Sequence, residues 1–173
     1  MSVKDKGFVI NLHANFDDST TVATELKEAY ERGERLITID IDSNGGYVKV
    51  LEDILEVMKF LRSKGCKINT HNSKKAYSCG AILLSQGDYR TCSLLADTMV
   101  HEVACGLSGK VTEMEKSIEE LREFNEKWFK LMLKRMKISR RTLEKHLNEA
   151  EGRDWFLNSD MAKRIGMVDE IIL

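Results

Sequence analysis

The segment from Leu36 to Leu61 constrains the fold more than any other part of this chain. Ile37, Ile39 and Ile41 alternate along LITIDI, the two-residue period of a strand. Asn44-Gly45-Gly46 breaks the run, and Leu51, Ile54, Leu55, Met58 and Leu61 then recur at helical spacing. A strand turning directly into an amphipathic helix lays that helix back on its own sheet, and the next strand arrives parallel to the first. The unit has a precedent upstream. Phe8 to Leu12 is a β-rich run, Asp17 to Thr21 is a cap cluster, and Val22, Leu26, Ala29 and Tyr30 mark a helix that Gly33 stops.

Downstream the same alternation continues. Cys66 to His71 predicts a strand and Asn72 to Lys75 a loop. A short apolar helix spans Gly80 to Leu84, with Ser78 just before it, and Gly87-Asp88 turns the chain. Arg90 to Leu95 and Thr98 to Val103 predict strands, and Gly106 to Gly109 a glycine-bounded loop. Val111 to Lys137 is the longest helical pattern, with Met114, Ile118, Leu121, Trp128, Leu131 and Met132 as its apolar stripe. A helix follows over Arg141 to Asn148. Another covers Asp160 to Ile165, capped by Ser159 and closed by Gly166, and Val168 to Leu173 predicts a last strand. No linker or low-complexity stretch divides the chain, so residues 1–173 are expected to form a single α/β domain with largely parallel strands.

Composition narrows the function classes. The formal net charge is −1 over 173 residues, which lacks the positive excess of a nucleic-acid binder. No apolar stretch approaches the ~20 residues that span a bilayer, and the polar start from Met1 to Gly7 is not a secretory signal. These features predict a cytoplasmic protein with no membrane partner. Cys66, Cys79, Cys92 and Cys105 form no C-x-x-C pair and match no zinc spacing, so they are expected to be free thiols. No metal or other cofactor is implied.

Three short elements carry chemistry. Ser78 stands in Ala76-Tyr77-Ser78-Cys79-Gly80, with small residues two before and two after, at a strand-to-helix turn. A nucleophile elbow has this form, since small neighbours permit a tight turn that exposes the hydroxyl. An ordinary helix cap has it too. His101 lies in the apolar run Met99-Val100-His101, where it is either a satisfied interior side chain or a general base. Asn44-Gly45-Gly46 lets backbone approach a bound group closely, as an oxyanion donor, as an anion site at a helix start, or simply as a turn.

In combination these segments resemble the Clp protease (ClpP) family. Its S-P-G-G turn appears as Ser43-Asn44-Gly45-Gly46, and its A-S-M-G-A-x-L-L segment as Ala76-Tyr77-Ser78-Cys79-Gly80-Ala81-Ile82-Leu83-Leu84. Its M-I-H segment appears as Met99-Val100-His101. Its closing segment appears as Arg153-Asp154-Trp155-Phe156, Ser159, Ala162 and Gly166-Met167-Val168-Asp169-Glu170. The resemblance runs from about Phe8 to Ile172. It implies a ClpP/crotonase-like superhelix of repeated strand-strand-helix units, with Val111 to Lys137 as a handle helix interlocking two rings. It implies a serine endopeptidase acting on peptide or unfolded protein, with Ser78 as nucleophile, His101 as base, and Gly46 and Cys79 as oxyanion donors. Homo-oligomeric rings of seven, stacked in pairs around a chamber, are also implied.

The chain departs from the family pattern in three places. A gapless alignment back from Arg153-Asp154 sets Ala150 where the family's triad aspartate belongs, and a one-residue shift makes Glu151 the candidate third member. The chain begins almost at its first strand, without the N-terminal segment that forms the family's axial loops, which weakens the expectation of a Clp-type ATPase partner. Phage-encoded relatives are trimmed in a similar way. The stretch before Ser78 is lengthened and basic, and Lys74 and Lys75 there raise a Ser–Lys dyad. Two other readings remain: a catalytically degenerate ClpP-like structural subunit, and a crotonase-type acyl-CoA enzyme with a carboxylate acid/base in its pocket.

Overall fold

The computed structural model describes residues 7–104, 106 and 108–173. The elements run β1 (Phe8–Leu12), α1 (Val22–Glu31), β2 (Leu36–Ser43), α2 (Val48–Ser63), β3 (Lys67–Tyr77), α3 (Cys79–Ser85), β4 (Arg90–Ser93) and β5 (Asp97–Val100). They continue with α4 (Val111–Leu133), α5 (Arg140–Glu149), a 3-10 turn (Glu151–Arg153), β6 (Trp155–Leu157), α6 (Ser159–Arg164) and β7 (Glu170–Ile172). The strands form one sheet, β1-β2-β3-β4-β7, parallel throughout, with β5 added to the far end of β3 and β6 antiparallel to β5. This is the α/β, mostly parallel arrangement that the strand–helix alternation predicts.

The core lies between the sheet and its helices. Ile37, Ile39 and Ile41 are fully buried on one face of β2, together with Leu51, Ile54 and Met58 of α2 and Leu26 of α1. Each such side chain contributes about 1.5–3 kcal/mol by leaving water. The opposite face of β2 presents Thr38, Asp40 and Asp42, so its alternation is apolar toward the helices and polar away from them. Helix α3 packs on β3, β2 and α2, which fixes its N-terminus against the turn that follows β2.

Several elements differ from expectation. The predicted loop Asn72 to Lys75 is strand, because β3 changes partners there. Thr70 to Asn72 pair with β4, and Lys75 to Tyr77 with β5. The Asn72 carboxamide bridges the change, donating to Asp97 O at 2.9 Å and to Thr98 Oγ1 at 3.2 Å. Helix α4 stops at Leu133 rather than Lys137, and the Lys137 amide instead donates to Ile165 O at 2.6 Å. Strand β6 was not anticipated at all. Asn158, not Ser159, caps α6, its side chain accepting from the Met161 amide at 2.9 Å. Among the described residues, no helix is long and apolar enough to cross a membrane.

Candidate active site

The site begins at the turn after β2. Ser43 is buried, and its hydroxyl accepts from the Gly45 amide at 3.1 Å. Gly46 forms a parallel bridge with Phe16 that uses the Gly45 carbonyl (2.8 Å) and the Tyr47 amide (2.7 Å). Those two bonds face Phe16, so the N–H of Gly46 itself points to the other side. Both glycines are required sterically. Gly46 has φ +142°, and a Cβ there would collide with the Phe16 carbonyl oxygen. Gly45 has φ +95°, and a Cβ there would stand 2.8 Å from the Tyr77 carbonyl oxygen.

Ser78 joins β3 to α3 with φ 55° and ψ −117°, a region that a residue with a side chain enters at a cost. Its amide donates to Met99 O at 2.9 Å, and its carbonyl accepts from Ala81 (3.0 Å) and Ile82 (3.2 Å). The backbone of Ser78 is thus the helix cap, and its hydroxyl makes no cap bond. That hydroxyl lies 2.7 Å from His101 Nε2 instead. The serine side chain is therefore not a helix cap, and one ring nitrogen of the histidine is engaged with it. Gly80 lies under the turn with ordinary clearance from Ser43 O and the Ala76 Cβ.

On the far side of the ring, His101 Nδ1 is 3.7 Å from Asp154 Oδ1. The sequence pointed to Glu151 for this position. Glu151 lies in the 3-10 turn three residues earlier, and among the described residues the carboxylate within ion-pair distance of His101 is Asp154. Asp154 went unassigned because its meeting with His101 depends on β6, whose register sets Trp155 opposite Val100 and so carries Asp154 alongside His101. Lys74 turns away from Ser78 to an ion pair with Asp42 at 3.5 Å, and Lys75 lies in β3 opposite Asp97, so the basic side chain within hydrogen-bond distance of Ser78 is that of His101.

A cavity of about 300 Å³ opens beside the pair. Asn44, Gly46, Ser78, Cys79 and His101 form its polar end, and Ile82, Trp128, Phe129 and Met132 line its apolar end. Asn125 Oδ1 accepts from the Val103 amide at 2.7 Å and ties α4 to the segment after His101. Cys79 is buried, and burial pushes its thiol up to about 11, so the sulfhydryl beside Ser78 stays protonated and donates to Gly46 O at 3.2 Å. Cys66 and Cys92 are likewise buried free thiols, while Cys105 lies outside the described residues. Only Gly106, Ser108 and Gly109 of the predicted glycine-bounded loop are described.

A parallel sheet sets the serine on a strained strand-to-helix turn, beside a histidine and a double-glycine turn, an arrangement similar in form to a nucleophile elbow. The family model of the Clp protease matches residues 5–173, and the chain belongs to that family, whose members are peptidases. The ATP-dependent Clp protease proteolytic subunit 2 of Bacillus licheniformis is 29% identical over 98% of this chain and 87% of its own length. The protein of the same name from Chlamydia trachomatis is 27% identical over 89% of this chain and 73% of its own.

Proposed function

We propose that this chain is a serine endopeptidase that cleaves peptide bonds through a Ser78 acyl-enzyme. The observation that carries this reading is the 2.7 Å contact between Ser78 Oγ and His101 Nε2, on a serine whose strained backbone frees its hydroxyl from capping. His101 Nε2 removes the hydroxyl proton as Oγ attacks the scissile carbonyl. Gly46 and Cys79 line the same cavity as Ser78, and their amides are the donors that stabilise the negative oxygen of the tetrahedral intermediate. The imidazolium then returns its proton to the leaving amine. Water repeats the sequence on the acyl-enzyme, and Ser78 is regenerated. Asp154 holds the ring in the tautomer with hydrogen on Nδ1 and stabilises the imidazolium, the gap of 3.7 Å closing to hydrogen-bond length when substrate excludes water.

The apolar end of the cavity accommodates an apolar side chain preceding the cleaved bond, against Ile82, Phe129 and Met132. The crotonase-type alternative needs a carboxylate in the pocket wall, and the lining residues include none. Helix α4 supports assembly. Its C-terminal turns bury Trp128, Phe129 and Met132, while Val111, Ile118 and Phe124 toward its start are exposed. Apolar side chains left exposed on this helix fit a handle that packs against other subunits in stacked rings around a chamber. Incubating the assembled protein with an unfolded protein substrate tests the function. Cleavage that Ser78→Ala and His101→Ala both abolish supports the peptidase. Equal cleavage by wild type and Ser78→Ala overturns it.

A further inference from the structure

We propose that the ion pair between Glu102 and Arg153 is a clamp that positions Asp154 on His101. The inference rests on the peptidase reading above. Strands β5 and β6 pair antiparallel in the register Thr98↔Leu157, Met99↔Phe156 and Val100↔Trp155. Backbone pairing ends there, and both strands are short, with four and three residues. The next two positions of the same register are joined only by side chains. His101 meets Asp154 at 3.7 Å, and Glu102 meets Arg153 at 2.9 Å. The first pair stands beside the serine, His101 Nε2 lying 2.7 Å from Ser78 Oγ, and the second closes the open end of the ribbon.

The backbone of Arg153 singles out the same place. Among the described residues, the non-glycine positions with positive φ are Ser78 (55°) and Arg153 (62°). One carries the nucleophile and the other immediately precedes Asp154. Gly152, also at φ 62°, brings the chain into this bend from the 3-10 turn. A left-handed arginine is held where its surroundings determine it: the Arg153 amide donates to Ala150 O at 3.0 Å within the turn, and its guanidinium reaches across to the Glu102 carboxylate at 2.9 Å. The Asp154 amide is tied only locally, donating to Glu151 O at 3.2 Å, with no rung across to β5, so without the Glu102 contact the ribbon is free to fray from its open end and the aspartate drifts from the imidazole. Glu102 and Arg153 are both close to half exposed, so the clamp is a modest, water-screened interaction.

The test is the rate at which a fluorophosphonate labels the assembled protein, followed over probe concentration. In Glu102→Gln and Arg153→Gln the maximal rate should fall about three- to fivefold, the range expected of a single exposed ion pair, with the half-saturating concentration unchanged. Arg153→Gly should fall equally, since glycine keeps the positive φ without cost and loses only the guanidinium. Exchanging the charges, in Glu102→Arg with Arg153→Glu, should recover most of the rate, which a merely structural contribution would not do. Single variants that label at the wild-type rate overturn the clamp, as does an exchange variant no faster than the singles. In both of those results wild type is still labelled at Ser78, so the peptidase reading stands. A wild type that is not labelled sinks both.

Discussion

Gly45 packs against Ser78 so closely that a Cβ on the glycine would stand 2.7 Å from the serine Cβ. The double-glycine turn and the nucleophile turn therefore form one unit, and neither can move without the other. Gly45→Ala adds the collision and forces a side chain to φ +95°. The expected result is a loss of peptidase activity of at least about tenfold and a destabilisation of about 1–3 kcal/mol, read from peptide hydrolysis and denaturant unfolding.

The two candidate carboxylates are separated by mutation. Asp154→Asn removes the charge opposite His101 Nδ1 and favours the wrong tautomer, so kcat should fall by up to about 10⁴-fold, with KM little changed. Glu151→Gln alters an exposed residue in the 3-10 turn and should change kcat by less than about twofold. The reverse pattern would return the role to Glu151.

Much of this was legible in the sequence, for physical reasons. β1, α1 and β2 were readable because their burial is one-sided: Ile37, Ile39 and Ile41 alternate into the core, and Val22, Leu26 and Ala29 share one helix face. Ser78, His101 and the Asn44-Gly45-Gly46 turn were readable because local chain geometry demands their neighbours. The second half of β3 was not, since Asn72, Ser73, Lys74 and Lys75 look like loop residues. They are strand because of distant partners: Asn72 pairs with Ile41 and Cys92, and Lys75 with Asp97 of β5. Asp154 was hidden in the same way. Nothing local in Arg153-Asp154-Trp155 announces a strand, and the aspartate reaches His101 only through pairing with a segment more than fifty residues earlier.

Arg90 offers a stability test remote from the site. Its buried guanidinium binds both carboxylate oxygens of Asp169, at 3.0 and 2.5 Å, and the Gly166 carbonyl at 2.7 Å, fastening β4 to the segment before β7. Burial pushes the Asp169 carboxyl up. The hydrogen bonds from the Arg90 side chain and backbone, with its charge, outweigh this and hold it below the ordinary range. A carboxylate depressed in the folded state stabilises above its unfolded pKa, and that contribution is lost as pH falls through the folded value. Unfolding measured below about pH 4 should show wild type losing stability more steeply than Asp169→Asn. At pH 7 the variant should be weaker by about 3 kcal/mol, because a buried guanidinium is left without its partner.

The thiol next to the nucleophile should be inert. With its pKa at about 11, Cys79 is protonated at neutral pH and buried. Peptide mapping after iodoacetamide treatment of the folded protein at pH 7.5 should find Cys79 unmodified, and Ser78-dependent hydrolysis should persist. Alkylation of Cys79 under those conditions would contradict the packing around Gly46.

The proximity of Ser78 and His101 is most directly tested by where a fluorophosphonate attaches. Mass spectrometry of the treated, assembled protein should locate the phosphonyl adduct on the Ser78 peptide in wild type. The His101→Ala protein should show none on the same timescale. An adduct on another residue, or equal labelling of Ser78 with and without the imidazole, would contradict a nucleophile activated by His101.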